Sequence, residues 1–203
     1  MLKSNNLLNN NNNHFIDGWY IDESLCDDLI DFFEKSNDDE KRVGKVYQNN
    51  TPPMVDKSVK DSTDFYVAPY NKHPLIQKFL GSLEEVLNEY KTKYTYCDTG
   101  VTQWRISKTY NIQRYFPNQG FHKFHCERGT EGTYKRHLVW MTFLNDINDG
   151  GETEWFYQKL KVKPEKGLTL IWPTDWTYTH RGLVSKTETK YIITGWYDFY
   201  EIE

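Results

Sequence analysis

The stretch FHKFHCE, residues 121–127, determines how the rest of the chain is interpreted. Apolar and aromatic residues surround a His-x-Glu pair, and no helix-capping pattern is present, which predicts a strand that enters a core. Because strand side chains alternate, His125 and Glu127 would point to one face and Cys126 to the other. An imidazole and a carboxylate at this spacing can take two neighbouring positions around one metal ion.

Two later residues would complete such a site. His180 supplies a second imidazole from a neighbouring strand, and two His with one carboxylate are typical of non-haem Fe(II) oxygenases. Lys190 follows ten residues later and opens the apolar run YIITGWY, residues 191–197. A buried cation needs an anionic partner. A dicarboxylate cosubstrate that reaches from the metal to Lys190 would be such a partner.

Further motifs accompany the His-x-Glu pair in a fixed order. They are Tyr115, Gly120-Phe121, Phe143-Leu144-Asn145, Gly150-Gly151-Glu152-Thr153, Lys163-Pro164-x-x-Gly167, His180, and Lys190-Tyr191 leading to Trp196-Tyr197. In this order and spacing, about residues 101–200 resemble the Fe(II)/2-oxoglutarate dioxygenases, most closely the prolyl 4-hydroxylase-like group. A lone His-x-Glu pair is a weak signal, whereas the ordered set is specific. Two residues depart from the pattern: Glu127 stands where the family usually has Asp, and Phe143 stands where some members have Tyr.

The resemblance implies a site and a reaction. His125, Glu127 and His180 would hold Fe(II), and Lys190 would pair with the distal carboxylate of 2-oxoglutarate. Tyr115 is a further cosubstrate-binding candidate through its hydroxyl. Phe143 has no hydroxyl, so Thr142, Thr194 or water would compensate. Dioxygen would oxidise 2-oxoglutarate to succinate and carbon dioxide while a C–H bond of the substrate is hydroxylated, with ascorbate as a further candidate cofactor.

Composition favours one globular domain rich in β-structure. The chain has 203 residues, of which 37% are hydrophobic and 16% aromatic, enough for one sizeable core. Its net charge of −4 does not indicate a nucleic-acid or membrane surface. We expect a cytoplasmic protein, because there is no signal-peptide pattern. The three Cys, few and odd in number, also argue against a disulfide framework. Cys126 is interpreted as a small structural side chain.

The order of patterns along the chain predicts an α+β fold. Residues 1–14, rich in Asn, are expected to be a disordered lead-in to a single domain over 15–203. A helix should begin at Asp22 or Ser24 and run to about residue 36, and a second should begin near Pro74. From residue 101 onward, short runs of Val, Ile, Thr and aromatics predict strands joined by turns. The resemblance makes this a double-stranded β-helix, or jelly roll, backed by the N-terminal helices.

Several segments allow two interpretations. The polar, Pro-broken stretch 37–64 is either a lid over the site or a solvated connector. The four other His are interpreted as structural or surface residues, although His137 could sit near the site. Arg181, Trp172 and Trp176 are candidate substrate contacts because they lie close to His180 in sequence.

Three functions remain open from sequence alone. The first is hydroxylation of proline within a polypeptide, and the second is the same chemistry on a free amino acid or another small molecule. The third is a non-catalytic β-sandwich binding protein with a vestigial metal site, which the changes at Glu127 and Phe143 would favour. The peptide is preferred mostly because the pattern from Tyr115 to Trp196 resembles that of enzymes acting on proline within a polypeptide. In addition, Arg181 is the one plausible clamp for the carboxylate of a free amino acid, and no acidic partner for the amino group can be placed beside it.

Overall fold

Two helices precede most of the strands in the computed structural model, which describes residues 2–5, 14–46, 52–68, 70–100 and 102–200. The helix α1 spans Glu23–Lys35, and Asp22 caps it by accepting a hydrogen bond from the backbone N–H of Ser24. The helix α2 spans Pro74–Lys93 with Pro at its start, where a missing N–H costs nothing. Both helices therefore begin where the capping and proline signals predict. Neither combines the length and apolarity needed to span a bilayer.

The strands form two antiparallel sheets. Their bounds are β1 Asp17–Tyr20, β2 Lys41–Val43, β3 Thr63–Val67, β4 Trp104–Ile106, β5 Tyr110–Tyr115, β6 Arg136–Phe143, β7 Thr153–Trp155, β8 Leu160–Val162, β9 Leu168–Pro173, β10 His180–Gly182 and β11 Lys190–Phe199. The large sheet has the order β1-β9-β6-β11-β5-β3-β2, with β4 paired to β11, and the small sheet has the order β10-β7-β8. Short 3-10 turns occupy Thr95–Asp98, Glu131–Thr133 and Trp176–Tyr178.

The large sheet separates two apolar cores. One face of the sheet packs against both helices, and Trp140 and Ile193 lie in this core with Phe33 and Phe79. The opposite face, with Met141 and Ile192, packs towards the small sheet. Neighbouring residues of one strand fall in different cores because strand side chains alternate. This is the expected α+β arrangement of a jelly roll backed by helices.

The prediction of a strand over residues 121–127 is wrong. The backbone N–H of Gly182 bonds to the carbonyl of Phe121, and His125 exchanges both backbone hydrogen bonds with His180. Four residue steps on one side therefore face two steps on the other. The surplus residues leave the pairing with β10, so His125 forms only an isolated bridge to His180, and Phe121 is bridged to Lys60 instead. The alternation argument that put Cys126 on the opposite face from His125 fails with the strand, since Cys126 also lines the central cavity.

The N-terminal prediction is only partly addressed by the described residues. Ser4 forms a bridge to Trp19, and Asn5 is buried with its N–H bonded to the carbonyl of Gly18. Residues 2–5 thus extend the edge of the large sheet beside β1. Residue 1 and residues 6–13 lie outside the described residues, so the expected disorder of this tract stays a prediction.

Candidate metal centre and cosubstrate cavity

His125, Glu127 and His180 converge at one point although they come from two segments. Glu127 Oε1 lies 3.5 Å from Nε2 of both imidazoles. One ligand atom from each residue lies within 4.8 Å of the other two, close enough for a single ion to contact all three. The backbone bridge between His125 and His180 sets the two rings side by side. Two imidazoles and a carboxylate are a donor set that suits Fe(II) and leaves further positions open.

Both imidazoles are oriented by backbone carbonyls. His125 Nδ1 lies 3.0 Å from the carbonyl oxygen of Lys123, and His180 Nδ1 lies 2.9 Å from that of Tyr178. A ring that donates its Nδ1–H in this way presents the lone pair of Nε2 to the centre of the site. Phe121 stacks on the His125 ring at 3.6 Å and 9°, which fixes its plane. Burial, with the neighbouring His180, lowers the pKa of His125, so the neutral, ligating form is favoured.

The Glu127 carboxylate is held by one oxygen only. Arg136 donates to Oε2 at 3.0 Å, and the indole Nε1 of Trp196 donates to the same atom at 2.9 Å. The Arg136 guanidinium in turn lies over the Trp196 ring at 3.6 Å. Burial alone would raise the pKa of Glu127, but contacts with His125, His180 and Arg136 hold it well below its usual range. The longer Glu side chain is therefore anchored as an anion with Oε1 directed at the imidazoles.

Lys190 lies buried in the same cavity without a carboxylate partner among the described residues. Its Nζ donates to the carbonyls of Gly151 at 2.9 Å and Leu183 at 3.4 Å and sits 5.1 Å from the centroid of the Tyr115 ring. Gly151 has φ of +74°, a conformation that glycine adopts without strain and that presents its carbonyl to Lys190. Burial lowers the pKa of Lys190 to about 8, against the opposing charge of Glu152. An anion that enters this cavity would meet an unmatched cation.

The cavity that joins Lys190 to the three converging residues has a volume of about 1140 Å³. The predicted face of β11 lines it. That face consists of Lys190, Ile192, Thr194 and Trp196. Tyr115, paired with Lys190 across β5 and β11, also lines it, and its hydroxyl donates to Gln113 at 2.6 Å.

The hydroxyls proposed to replace the missing one at Phe143 differ in position. Thr194 lines the cavity while its Oγ1 donates to the carbonyl of Trp140 at 2.9 Å. Thr142 is fully buried and hydrogen-bonds Thr169 at 2.8 Å, and it does not line the cavity. Of the two threonines, Thr194 alone is therefore placed to meet a ligand.

The segment 37–64 supplies one wall of the cavity through Val46, Pro52, Pro53 and Lys60. Lys60 and Asp64 form a buried ion pair of 2.6 Å, and the N–H of His122 bonds to the carbonyl of Val59. These contacts fit a cover over the site better than a solvated connector. Residues 47–51 within the segment lie outside the described residues.

Other candidates from the sequence lie elsewhere. His137 bonds to the carbonyl of Cys97 at 2.8 Å and packs on Trp104, so it is structural. Arg181 is paired with Glu154 at 2.7 Å and does not line the cavity, whereas Trp172 does. Arg136 was not anticipated, because nothing in its local sequence distinguishes it from a surface arginine.

Comparisons with known proteins agree with this geometry. Residues 110–198 match the model of the 2OG-Fe(II) oxygenase superfamily. The fold is similar to that of a viral collagen prolyl hydroxylase from Paramecium Bursaria Chlorella virus-1, with a TM-score of 0.66 and 20% identity, covering 91% of this chain and 96% of that one. A Pseudomonas putida prolyl-4-hydroxylase gives a TM-score of 0.69 at 12% identity, covering 93% and 95%.

A third similar structure contains a peptide. It is a Trichoplax adhaerens prolyl hydroxylase in complex with a hypoxia inducible factor peptide fragment, with a TM-score of 0.70 and 14% identity, covering 94% of this chain and 86% of that one. No curated protein matches the sequence significantly. At these identities the likeness of the structures concerns the fold alone, and the family model matches only residues 110–198.

Proposed function

We propose that the protein is a 2OG-Fe(II) oxygenase, as the match over residues 110–198 supports, and that it hydroxylates a proline within a polypeptide, using Fe(II), 2-oxoglutarate and dioxygen. The observation that carries the proposal is the convergence of His125, Glu127 and His180 in a cavity whose other end holds Lys190. A vestigial site would have no reason to keep a buried, unmatched lysine, which costs stability.

The side chains of the site have separate roles in this proposal. His125, Glu127 and His180 would hold Fe(II), with Arg136 and Trp196 fixing the carboxylate. Bound iron, 2-oxoglutarate and dioxygen would supply the oxidation, in which one oxygen atom enters succinate, carbon dioxide leaves and the other oxygen atom enters the substrate. Ascorbate would serve only as an accessory reductant.

Lys190 would bind the distal carboxylate of 2-oxoglutarate through a charge-assisted hydrogen bond. The Tyr115 hydroxyl donates to Gln113 and the Thr194 hydroxyl to the carbonyl of Trp140, and both residues line the cavity, so each would redirect its proton to a bound carboxylate. Burial holds the pKa of Tyr115 well above its usual value, so it stays a neutral phenol. The cavity thus offers a cation and two hydroxyls to one carboxylate.

The proposal also includes a domain assignment and a cellular location. We take residues 15–203 as one domain that is preceded by a lead-in. We also place the protein in the cytoplasm, because Cys26, Cys97 and Cys126 are all free thiols.

The affinity for 2-oxoglutarate should fall as the pH rises from about 7 to about 9. The pKa of Lys190 is about 8 in the free protein, so the ammonium group is present below this pH and lost above it. One pH unit above the pKa, about one molecule in ten keeps the charge, which weakens binding up to about tenfold. Titration of the Mn(II)-loaded protein at several pH values measures this. In Lys190→Arg the dependence should vanish, because a guanidinium stays charged; an unchanged slope would contradict the assignment.

The anchoring of Glu127 predicts a graded series of metal affinities. Glu127→Asp should keep part of the affinity, whereas Glu127→Ala should lose much more. Trp196→Phe keeps an aromatic ring beside Arg136 but removes the indole donor, and we expect a loss of about 10- to 100-fold, the scale for groups that orient metal ligands. Mn(II) titration followed by electron paramagnetic resonance gives these values.

A matched control for this series is Trp176→Phe. Trp176 is 64% exposed and does not line the cavity, so its replacement should leave Mn(II) affinity unchanged. Equal affinities for the Asp and Ala variants of Glu127 would show that Glu127 is not a ligand.

The substrate class is tested by incubating the protein with peptides and, in parallel, with free amino acids. The fold similarity to a prolyl hydroxylase that binds a peptide supports a polypeptide substrate. Arg181, the clamp that a free amino acid would need, is occupied by Glu154. We expect mass spectrometry to find one added oxygen on proline in Pro-containing peptides incubated with Fe(II) and 2-oxoglutarate. Stoichiometric hydroxylation of a free amino acid, with the peptides untouched, would contradict this proposal, and absence of iron-dependent succinate would favour a binding protein.

A further inference from the structure

The charged side chains that line the cavity carry an excess of positive charge, although the whole chain has a net charge of −4. Its two acidic residues are both matched by cations. Asp64 Oδ2 lies 2.6 Å from Lys60 Nζ, and Glu127 Oε2 lies 3.0 Å from an Arg136 guanidinium nitrogen. The charges of the remaining cations of the lining are therefore not compensated within the cavity.

Three of these cations are exposed and belong to the rim of the cavity: Arg42, Lys45 and Lys123. Within the described part of the chain, none of the three forms an ion pair with a carboxylate, although twelve pairs between a Lys or Arg and a carboxylate occur there. Arg42 donates only to the carbonyls of Asp39 and Lys41, which leaves its charge in place. The acidic residues just before it do not line the cavity.

The three rim cations come from two separate parts of the chain. Arg42 lies in β2 and Lys45 shortly after it, at the edge of the large sheet. Lys123 lies in the irregular segment between Phe121 and His125, the part that leaves the pairing with β10. Its backbone carbonyl contacts Nδ1 of His125, a proposed metal ligand, while the other two belong to the segment 37–64 that forms one wall of the cavity.

The electric fields of several positive charges around a concave site add together and concentrate anions there. The deep cation, Lys190, is already assigned to 2-oxoglutarate in the proposed function, on which this inference rests. We infer that the rim cations bind acidic side chains of the polypeptide substrate, so that the preferred proline is flanked by Asp or Glu. A matched exposed ion pair changes an equilibrium constant by about 1.4- to 5-fold, so several pairs together would select acidic sequences.

The test is a binding measurement that does not depend on turnover. A fluorescent peptide with one proline between acidic residues is titrated with the Mn(II)- and 2-oxoglutarate-loaded protein and compared with the peptide in which Asn and Gln replace Asp and Glu. We expect the acidic peptide to bind at least about fivefold more tightly, with the difference shrinking as salt increases. Equal binding of the two peptides, or preference for the amide peptide, overturns the inference.

Variants test whether the rim cations cause the preference for the acidic peptide. Lys45→Glu combined with Lys123→Glu should remove the preference for the acidic peptide, whereas Lys186→Glu should keep it, because Lys186 is exposed but does not line the cavity. Preference retained in the double variant overturns the assignment to the rim. An equal loss of 2-oxoglutarate affinity in the double variant also overturns it, since the rim would then serve the cosubstrate.

The same preparations separate this inference from the proposed function. If the acidic and amide peptides are hydroxylated equally, with succinate formed, the proposed function stands and the inference fails. If the protein forms no succinate with Fe(II) and does not bind 2-oxoglutarate, the proposed function fails, whichever peptide binds.

Discussion

Replacement of either His125 or His180 by Ala should abolish stoichiometric binding of Fe(II) and of its inert substitute Mn(II). Each imidazole would supply one of three protein ligands, and its Nδ1 is already held by a backbone carbonyl. Loss of a group that only orients a ligand costs about 10- to 100-fold in affinity, so loss of the ligand itself should cost more than about 100-fold. Isothermal titration calorimetry with Mn(II) measures the effect directly.

His122→Ala is the matched control for these two variants. His122 lies three residues from His125, yet it does not line the cavity, so its removal should leave metal affinity unchanged. Circular dichroism should show that all three variants keep the fold. Full retention of metal by both His125→Ala and His180→Ala would show that the metal site lies elsewhere.

Lys190→Ala should weaken 2-oxoglutarate binding by about 1.5–3 kcal/mol, or about 10- to 150-fold, the scale of a hydrogen bond to a charged group. The ammonium group is buried and has no carboxylate partner among the described residues, so its loss should remove the main attraction for the distal carboxylate. Metal affinity should change little, because Lys190 contacts Gly151, Leu183 and Tyr115 but none of the three ligands.

Lys186→Ala provides the comparison. Lys186 is exposed in the turn before β11, and among the described residues its hydrogen bond is from the backbone N–H to Asp149 at 3.0 Å. Its variant should bind 2-oxoglutarate as the unchanged protein does. A larger loss in Lys186→Ala than in Lys190→Ala would mean that the cosubstrate binds outside the cavity described above.

The replacement of Asp by Glu at the metal site acquires a physical explanation from the structure. A Glu side chain has an extra methylene and more rotational freedom than Asp. Arg136 and Trp196 remove this freedom by holding Oε2, which leaves Oε1 for the metal. Under the proposed function, Glu127 is therefore expected to be an adapted ligand and not the sign of a lost site.

The sequence by itself predicted the features that depend on local patterns. The cap at Asp22 and the proline at position 74 located the helices, because the first turn of a helix needs acceptors for its free N–H groups. Alternation in β11 placed Lys190, Ile192, Thr194 and Trp196 on one face, because strand side chains repeat every two residues. The order and spacing of the motifs predicted the resemblance that the family match over residues 110–198 supports.

Tertiary structure decided the features that depend on contacts distant in sequence. The strand predicted around His125 failed because the backbone of residues 121–125 must match a shorter span of β10, a mismatch that no local pattern reveals. Arg136 on β6 reaches Glu127 because the backbone of Glu127 is hydrogen-bonded to Thr174, just after β9, and β9 pairs with β6. Arg181 is taken by Glu154 on β7 for a similar reason.

The distribution of charge also depends partly on the sequence and partly on the tertiary structure. The sequence determined a net charge of −4 and the identity of each ionisable group, but not which of them would be neighbours. Folding paired the two acids of the cavity with Lys60 and Arg136, whereas the rim cations have no carboxylate partner among the described residues. Electrostatic interactions depend on distance in space and on burial, so only the folded arrangement decides where the uncompensated charge lies.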